Sequence, residues 1–383
     1  MAASQVKNIK KVESTSASLK RIAFINVGGI GDNLLFYPVV QAIKQQCPQI
    51  TADFILEGRS QAAMSLMPDV DCCIPVQVQG KPKWALFFRL LSILRTGQYD
   101  AVISCGSSPF IAFLLRLSGI PNRIGFDNGG ALGLGRYCLT SPASLDTTGY
   151  AAKMYYALAQ AFFKGMGISP LNPPLSLPKS IVPSDEQVAI LQERLASIGI
   201  ESSTQSAQST QSKKNMQCGK PLILVHPGVS RVSIEKGLVK RWHPSRWSVL
   251  IQKMSETGKV LLIGGPDDVG EIAAIRQQLP ENNANIVVGD GLTRSLDDLA
   301  ALLTQVDCFV CADSAPMHVA VGVNTPLVAL FGEMDPARLL PDEHQFAWFR
   351  EESGVVRQHQ GYLEIAVDDV YNGVEQVLMG PVI

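Results

Sequence analysis

Several absences narrow what this chain can be. It has no uninterrupted run of about 18 apolar residues, so no transmembrane helix is expected. Met1 to Lys20 is rich in Lys and Ser and lacks the apolar block of a secretory signal. Glu13, and the lack of Arg before Arg21, argue against a transit peptide, so residues 1–20 are expected to be a disordered tail. There is no surplus of charge either: 33 Lys and Arg face 34 Asp and Glu, a formal net charge of -1. Phosphate backbones select clustered cations, so no nucleic-acid partner is expected. Zinc-type spacing is missing as well. The eight cysteines (Cys47, Cys72, Cys73, Cys105, Cys138, Cys218, Cys308 and Cys311) lie mostly in apolar runs, which suits reduced, buried thiols in a cytosol. Cys308 and Cys311 form one CxxC without further ligands at matching spacing. A strand through them would turn their thiols to opposite faces.

What is present is length and apolar mass. The chain has 383 residues and is 46% hydrophobic, enough for two or three domains with sizeable cores. Arg21 to Val27 is a short apolar run ending in glycines, which reads as a buried strand, and a helical pattern follows to Gln46. Ala52–Leu56 and Asp100–Ser104 read as strands, and Lys83–Arg95 and Pro109–Leu117 as helices. Strands alternating with helices predict a parallel sheet covered on both faces. Ser169 to Pro183 is Pro-rich and reads as a linker, after which Ser184 and Gln187 form a capping box. Glu201 to Lys214 is a Ser/Thr/Gln-rich stretch, expected as a low-complexity insert spanning 201–219. The alternation then restarts, with strands at Pro221–Val225, Lys259–Ile263, Asn285–Val288, Asp307–Cys311 and Pro326–Leu330. The expected organisation is therefore a tail (1–20), an N-terminal Rossmann-like domain (21–175), a C-terminal one (184–360) and a last helix within 361–383. Ligands of such folds bind beyond the carboxyl ends of the strands, here in the cleft between the domains.

Four strand-to-helix turns carry groups suited to an anionic ligand. The first is Gly28-Gly29-Ile30-Gly31-Asp32, where glycines permit close backbone approach and a helix start favours an anion. Asp32 reads equally as a site residue or as a cap on the first helical turn. The second is Asp313-Ser314-Ala315-Pro316-Met317-His318, where a strand meets a helix with proline in its first turn. Free amides there can cradle a diphosphate, and the other reading is a capped helix with a buried His. The third is the loop after His226-Pro227-Gly228-Val229-Ser230, with Arg231, Lys236, Lys240 and Arg241 placed to neutralise phosphate, or else solvated at the surface with Trp242 as anchor. The fourth is Gly264-Gly265-Pro266-Asp267-Asp268, with Glu271 beyond it. Acids there could accept hydrogen bonds from a ribose diol, or simply suit the helix dipole.

Together these segments resemble the heptosyltransferase family, glycosyltransferase family 9, over about Arg21 to Pro341. The matching residues are Gly31-Asp32 followed by Pro38, Lys240-Arg241-Trp242, Gly264-Gly265-Pro266, and Asp313 to Ala320 followed by Thr325-Pro326 and Phe331-Gly332. The chain departs from the family in placing His243 between Trp242 and Pro244, in a long loop from Val229 to Val239, and in Ala315 where Gly is commoner. The resemblance implies a GT-B fold, with two Rossmann-like domains whose parallel sheets face each other across a cleft. It implies inverting, metal-independent transfer of a heptose or similar sugar from a nucleotide-diphosphate donor, usually ADP-heptose, to a lipid-linked lipopolysaccharide core or related glycan. No cofactor beyond the nucleotide-sugar co-substrate is expected, and no metal, although Asp267-Asp268 is a weak candidate pair. In this reading Asp32 is the base, with Gly29 and Gly31 forming the acceptor-side turn. Lys240 stabilises the departing diphosphate. Ser230, Asp268, Glu271, Asp313, Ser314, Ala315, Met317 and His318 bind the donor. The expected location is cytoplasmic, with peripheral contact at the inner face of the plasma membrane. The basic, aromatic segment Lys81–Arg95 is the candidate for contact with the membrane or an anionic lipid-linked acceptor, the alternative being an ordinary core helix with cations at its rim. Two rivals stay open: an NAD-type dinucleotide oxidoreductase, for which Glu57 after Leu56 is the ribose-binding acid, and a catalytically silent binding protein on the same scaffold.

Overall fold

The computed structural model describes residues 19–78, 80, 82–127, 137–200, 219–351 and 361–380. The expected tail up to residue 18, the insert from 201 to 218 with Cys218, and Lys81 lie outside the described residues. The chain divides into two units, Met1–Ser180 and Ile181–Ile383.

The first unit is built on β1 (Arg21–Asn26), α1 (Ile30–Gln46), β2 (Thr51–Glu57), β3 (Cys72–Val76), α2 (Lys83–Thr96), β4 (Ala101–Ser104), α3 (Pro109–Ser118), β5 (Asn122–Asp127), β6 (Ser141–Ser144) and α4 (Ala151–Met166). The strands form one parallel sheet in the order β3-β2-β1-β4-β5-β6. The order reverses between β1 and β4, which makes the carboxyl ends of those two strands the switch point. Alternation along β1 decides what lies on each face. Ala23 and Ile25 pack under Leu90, Leu94, Leu114 and Leu115 of α2 and α3. Phe24 turns the other way, edge-on to Phe36 of α1, which in turn meets Tyr155 of α4 at 5.6 Å. Both faces are therefore apolar, as an all-parallel sheet requires.

The second unit repeats the plan. It comprises α5 (Asp185–Ser197), β7 (Leu222–His226), α6 (Arg231–Glu235), β8 (Arg241–Trp242), α7 (Pro244–Thr257), β9 (Lys259–Leu262), α8 (Val269–Arg276), β10 (Ile286–Val288), α9 (Leu296–Leu303), β11 (Cys308–Ala312), α10 (Ala315–Val323), β12 (Leu327–Phe331), β13 (Phe346–Arg350), β14 (Tyr362–Leu363) and α11 (Val367–Met379). Its parallel sheet runs β10-β9-β7-β11-β12-β13, the same order as the first, with the switch between β7 and β11. The expected capping box at Ser184 is formed: Ser184 Oγ accepts from Gln187 N–H, and Gln187 Oε1 accepts from Ser184 N–H. The closing helix α11 packs within this unit, its Val370 and Val374 joining the core of Trp242, Trp247, Val328 and Leu330. Cys308 belongs to that same core. Burial pushes the Cys308 and Cys311 thiols up, so neither is a ready thiolate.

Helix α2 departs from the core-helix alternative. Leu90, Leu91, Ile93 and Leu94 are buried, but Trp84 and Phe88 face outward. Its sequence is apolar nearly all round, so periodicity did not determine which side would be covered.

Candidate active site

In the second unit the carboxyl edge of the sheet gathers three of the four turns. β11 ends at Ala312, and Asp313 follows it, buried. Lys240 reaches it from the segment before β8: its Nζ lies 2.6 Å from Asp313 Oδ2 and 3.3 Å from the Asp313 carbonyl oxygen. The placement of Lys240 follows from its neighbours. Trp242 is fully buried, donates from Nε1 to the Ile365 carbonyl oxygen at 3.0 Å and meets Trp247 edge-on. Two residues earlier on an extended chain, Lys240 faces the same side as Trp242. Arg241 faces the other way, its guanidinium 4.8 Å from the centre of the Tyr362 ring. Gly332, after β12, lets this segment lie down on the sheet edge, because a Cβ there would stand 1.9 Å from the Val239 carbonyl oxygen. His243 sits as N-cap of α7, its Nδ1 accepting from Ser245 N–H at 3.2 Å, so Pro244 still opens the helix.

Helix α10 begins directly after Ser314, whose side chain makes no cap hydrogen bond. Its Oγ instead donates to the Ala312 carbonyl oxygen at 3.4 Å. The helix start therefore presents its positive end, beside the Lys240 cation, without a side-chain acceptor across it. Met317 and His318 are buried one turn in.

The neighbouring turn after β9 is held from within. Asp268 Oδ2 accepts from Gly265 N–H at 2.8 Å and lies 3.5 Å from His226 Nε2 at the end of β7. Burial lowers the His226 pKa, against the pull of Asp268, so the ring is neutral near pH 7. Glu271, half-buried in the first turn of α8, has its pKa raised by burial, with Arg241 opposing and Asp268 adding to the rise. Its Oε1 is buried without a hydrogen-bond partner, an acceptor left open. Ser230 caps the short α6 instead, accepting from Ser233 N–H at 3.2 Å.

In the first unit, the β1–α1 turn is a clasp. Asp32 Oδ2 accepts from Gly29 N–H at 2.8 Å, and Asn26 Nδ2 donates to the Asp32 carbonyl oxygen at 2.9 Å. Ser60 Oγ donates to the Gly28 carbonyl oxygen at 2.9 Å. Gly28 is obligatory here, since a Cβ would stand 2.6 Å from the Asp32 carboxylate. Asp32 therefore holds the turn, as the cap reading expects, while remaining exposed. Cys105, at the end of β4, has its thiol pushed up to about 12 by burial and by the nearby Asp32 charge. Glu57, by contrast, is engaged: its Oε2 accepts from Arg59 Nε at 2.7 Å beside a depression of about 400 Å³. A dinucleotide ribose would find that acid already paired.

The model of glycosyltransferase family 9 (heptosyltransferase) matches residues 87–360. The chain belongs to glycosyltransferase family 9. It is 25% identical over 376 residues to lipooligosaccharide heptosyltransferase 2 of Haemophilus ducreyi, covering 94% of this chain and 99% of that protein. It is 25% identical over 364 residues to lipopolysaccharide heptosyltransferase 2 of Escherichia coli, with 94% of each covered. Among solved structures, Escherichia coli ADP-heptose LPS heptosyltransferase II has a TM-score of 0.66 at 24% identity, covering 94% of this chain and 98% of that one. An Escherichia coli heptosyltransferase with ADP-2-deoxy-2-fluoro heptose has a TM-score of 0.61 at 19% identity, covering 93% and 99%. The fold of this family 9 glycosyltransferase is GT-B, built of two parallel-sheet α/β units. Membership replaces the oxidoreductase and silent-binder readings with glycosyltransferase activity.

Within the second unit of this glycosyltransferase, Lys240, Asp313 and the start of α10 form one cluster, and Asp268 and His226 a second, with Glu271 beside Asp268. Asp267, exposed, and Asp268, turned inward, do not make a pair. Sequence reasoning assigned no role to His226 or Gly332. The signal for both was position: each stands at the end of a strand of the parallel sheet.

Proposed function

We propose that this chain is an inverting heptosyltransferase that works without a metal ion. It moves a heptose or closely related sugar from a nucleotide-diphosphate donor, ADP-heptose by preference, to a lipopolysaccharide-core acceptor on the cytoplasmic face of the inner membrane. The observation that carries the reading is the Lys240–Asp313 pair beside the side-chain-free start of α10, a cation and a helix dipole in one place. The acceptor hydroxyl attacks the anomeric carbon, and its proton passes to Asp32. The bond to the diphosphate oxygen breaks as the new glycosidic bond forms, and its electron pair leaves with the nucleotide. Lys240 and the N–H groups of Ser314 and Ala315 at the start of α10 compensate that charge, the task a divalent cation performs elsewhere. Glu271, whose buried Oε1 has no hydrogen-bond partner among the described residues, accepts from the ribose diol. Asp313 orients Lys240 and contacts the sugar. The nucleotide preference rests on relatives named for ADP-heptose or solved with ADP-type ligands.

The test is Asp32→Asn. The amide oxygen can still accept from Gly29 N–H, so the clasp and the fold persist while the base is lost. Transfer should fall by about 10²–10⁴-fold, with nucleotide-diphosphate affinity unchanged within a few fold. A folded Asp32→Asn protein with full transfer activity would remove Asp32 from the mechanism.

A further inference from the structure

Helices α2 and α3 share one face of the first unit's sheet and leave an aromatic ridge outside it. Trp84 and Phe88, one turn apart on α2, are 67% and 61% exposed, and Phe110, at the start of α3, is 74% exposed. The ridge is continuous across the two helices: Phe88 meets Phe87 at 5.7 Å, and Phe87 stacks on Phe113 at 6.4 Å. Exposed contiguous apolar surface of this kind marks an interaction site rather than ordinary surface scatter.

Its charge says what it fits. From the start of α2 to the end of α3, residues 83–118 contain the cations Lys83, Arg89, Arg95 and Arg116 and a single acid, Asp100. Asp100 is turned to the amino edge of the sheet, where its carboxylate accepts from the Lys20 and Arg21 N–H groups. Arg95 braces the helix pair by donating to the Leu117 carbonyl oxygen at the end of α3. Lys83, Arg89 and Arg116 are exposed along the ridge. A protein partner would need an apolar groove lined with acids. A bilayer containing anionic phospholipid supplies both properties over an unlimited area, with Trp and Phe seated at the headgroup level and cations at the phosphates.

We infer that the α2–α3 ridge docks this protein on the surface of an anionic phospholipid bilayer. Both helices start at the carboxyl edge of the sheet, the edge that carries the Asp32 turn, and the loop leading into α3 begins at Cys105, close enough to feel the Asp32 charge. Docking therefore brings the acceptor half-site to the membrane surface. That last consequence rests on the function proposed above, whereas docking itself does not.

The experiment is flotation of the full chain with vesicles of equal parts phosphatidylcholine and phosphatidylglycerol, against phosphatidylcholine alone. The wild type should bind the anionic vesicles and release them as salt rises. Arg89→Gln with Arg116→Gln should weaken binding by about 25-fold, at about five-fold per cation near the surface. Trp84→Ser, Phe88→Ser and Phe110→Ser together should weaken it by more than about ten-fold. All five positions are exposed, so the variants should melt like the wild type and bind a nucleotide diphosphate equally well. The inference is overturned if the wild type ignores anionic vesicles, or if both variants float as it does. It is equally overturned if the ridge variants instead convert a dimer to a monomer in sedimentation, which would make the ridge a contact with a second copy. Vesicle binding in a protein that transfers no sugar would support the docking surface while defeating the transferase chemistry alone.

Discussion

Lys240→Ala separates two contributions that the Lys240–Asp313 contact combines. The ammonium lies 2.6 Å from a carboxylate whose side chain is 3% exposed, while Lys240 itself is 15% exposed. Removing the cation leaves Asp313 buried without its counter-charge, at a cost of about 3–5 kcal/mol. This exceeds the roughly 1.5–3 kcal/mol of a charge-assisted hydrogen bond, because desolvation of the carboxylate is no longer offset. For a unit of about 150–250 residues each kcal/mol moves Tm by about 2–4 °C, so the second unit's transition should fall by roughly 6–20 °C. Adding Asp313→Ala removes the stranded charge and should recover most of that loss, which calorimetry on the single and double variants would read as a coupling. Nucleotide-diphosphate affinity should behave differently. It falls by about ten- to hundred-fold in Lys240→Ala and does not return in the double variant, because the diphosphate has lost its cation in both. A Lys240→Ala protein with lowered Tm but wild-type affinity and turnover would make the lysine a structural strut and refute its role at the diphosphate. No change in Tm would refute the buried pair itself.

Glu271→Gln should trade binding for stability. A carboxyl whose pKa is raised in the folded state holds its proton there longer than in the unfolded chain, so its contribution is present below about pH 4.5 and is lost as pH rises through the folded value. The amide lacks that loss, so the variant should melt higher than the wild type at pH 8 and equally at pH 4, with weaker nucleotide binding. Equal melting at both values would remove the buried-charge argument. Gly332→Ala should push the Val239 backbone off the sheet edge and carry Lys240 with it, destabilising by about 1–3 kcal/mol and lowering donor affinity although residue 332 touches no ligand. Unchanged affinity would show that the Lys240 segment is positioned without that glycine. On the proposed mechanism, in which Lys240 and backbone amides hold the diphosphate, transfer should persist in excess EDTA. Loss of activity that magnesium or manganese restores would bring a metal into the mechanism.

The two sheets were legible because buried parallel strands are short apolar runs punctuated by turn residues: β1, β2, β4, β7, β9 and β12 run into glycine, and β11 into Asp313-Ser314. β6, with the sequence SPAS, does not, and only its partner β5 makes it a strand. The two-residue ribbon β8–β14 was equally hidden: Arg241 pairs with Tyr362, far along the chain, and no local pattern encodes such a pairing. At the site, residue types were readable but their engagements were not. Ser230 and Glu57 look like ligand groups in sequence, yet one is used as a helix cap and the other faces Arg59. The basic, aromatic composition of Lys81–Arg95 allowed an outward turn of Trp84 and Phe88 but did not decide it, because exposure is set by which neighbours arrive and not by the helix's own period.

The clasp of Asp32 on Gly29 has a twin. Gly265 and Asp268 repeat the same spacing, the same bond and the same 2.8 Å at the carboxyl edge of the other sheet, one strand out from its switch point. In one copy the carboxylate opens to solvent, and in the other it is shut in beside His226. A carboxylate held by a single N–H is half committed, and its surroundings decide whether it can take a proton from a substrate or serves as an internal rivet. Any search of related chains for a glycine followed three residues later by an aspartate at a strand end will score these two positions alike. To tell a base from a rivet, such a search must also ask what stands opposite. At the second clasp that is a histidine closing the neighbouring strand β7, and at the first it is an asparagine that binds the Asp32 backbone and leaves the carboxylate alone.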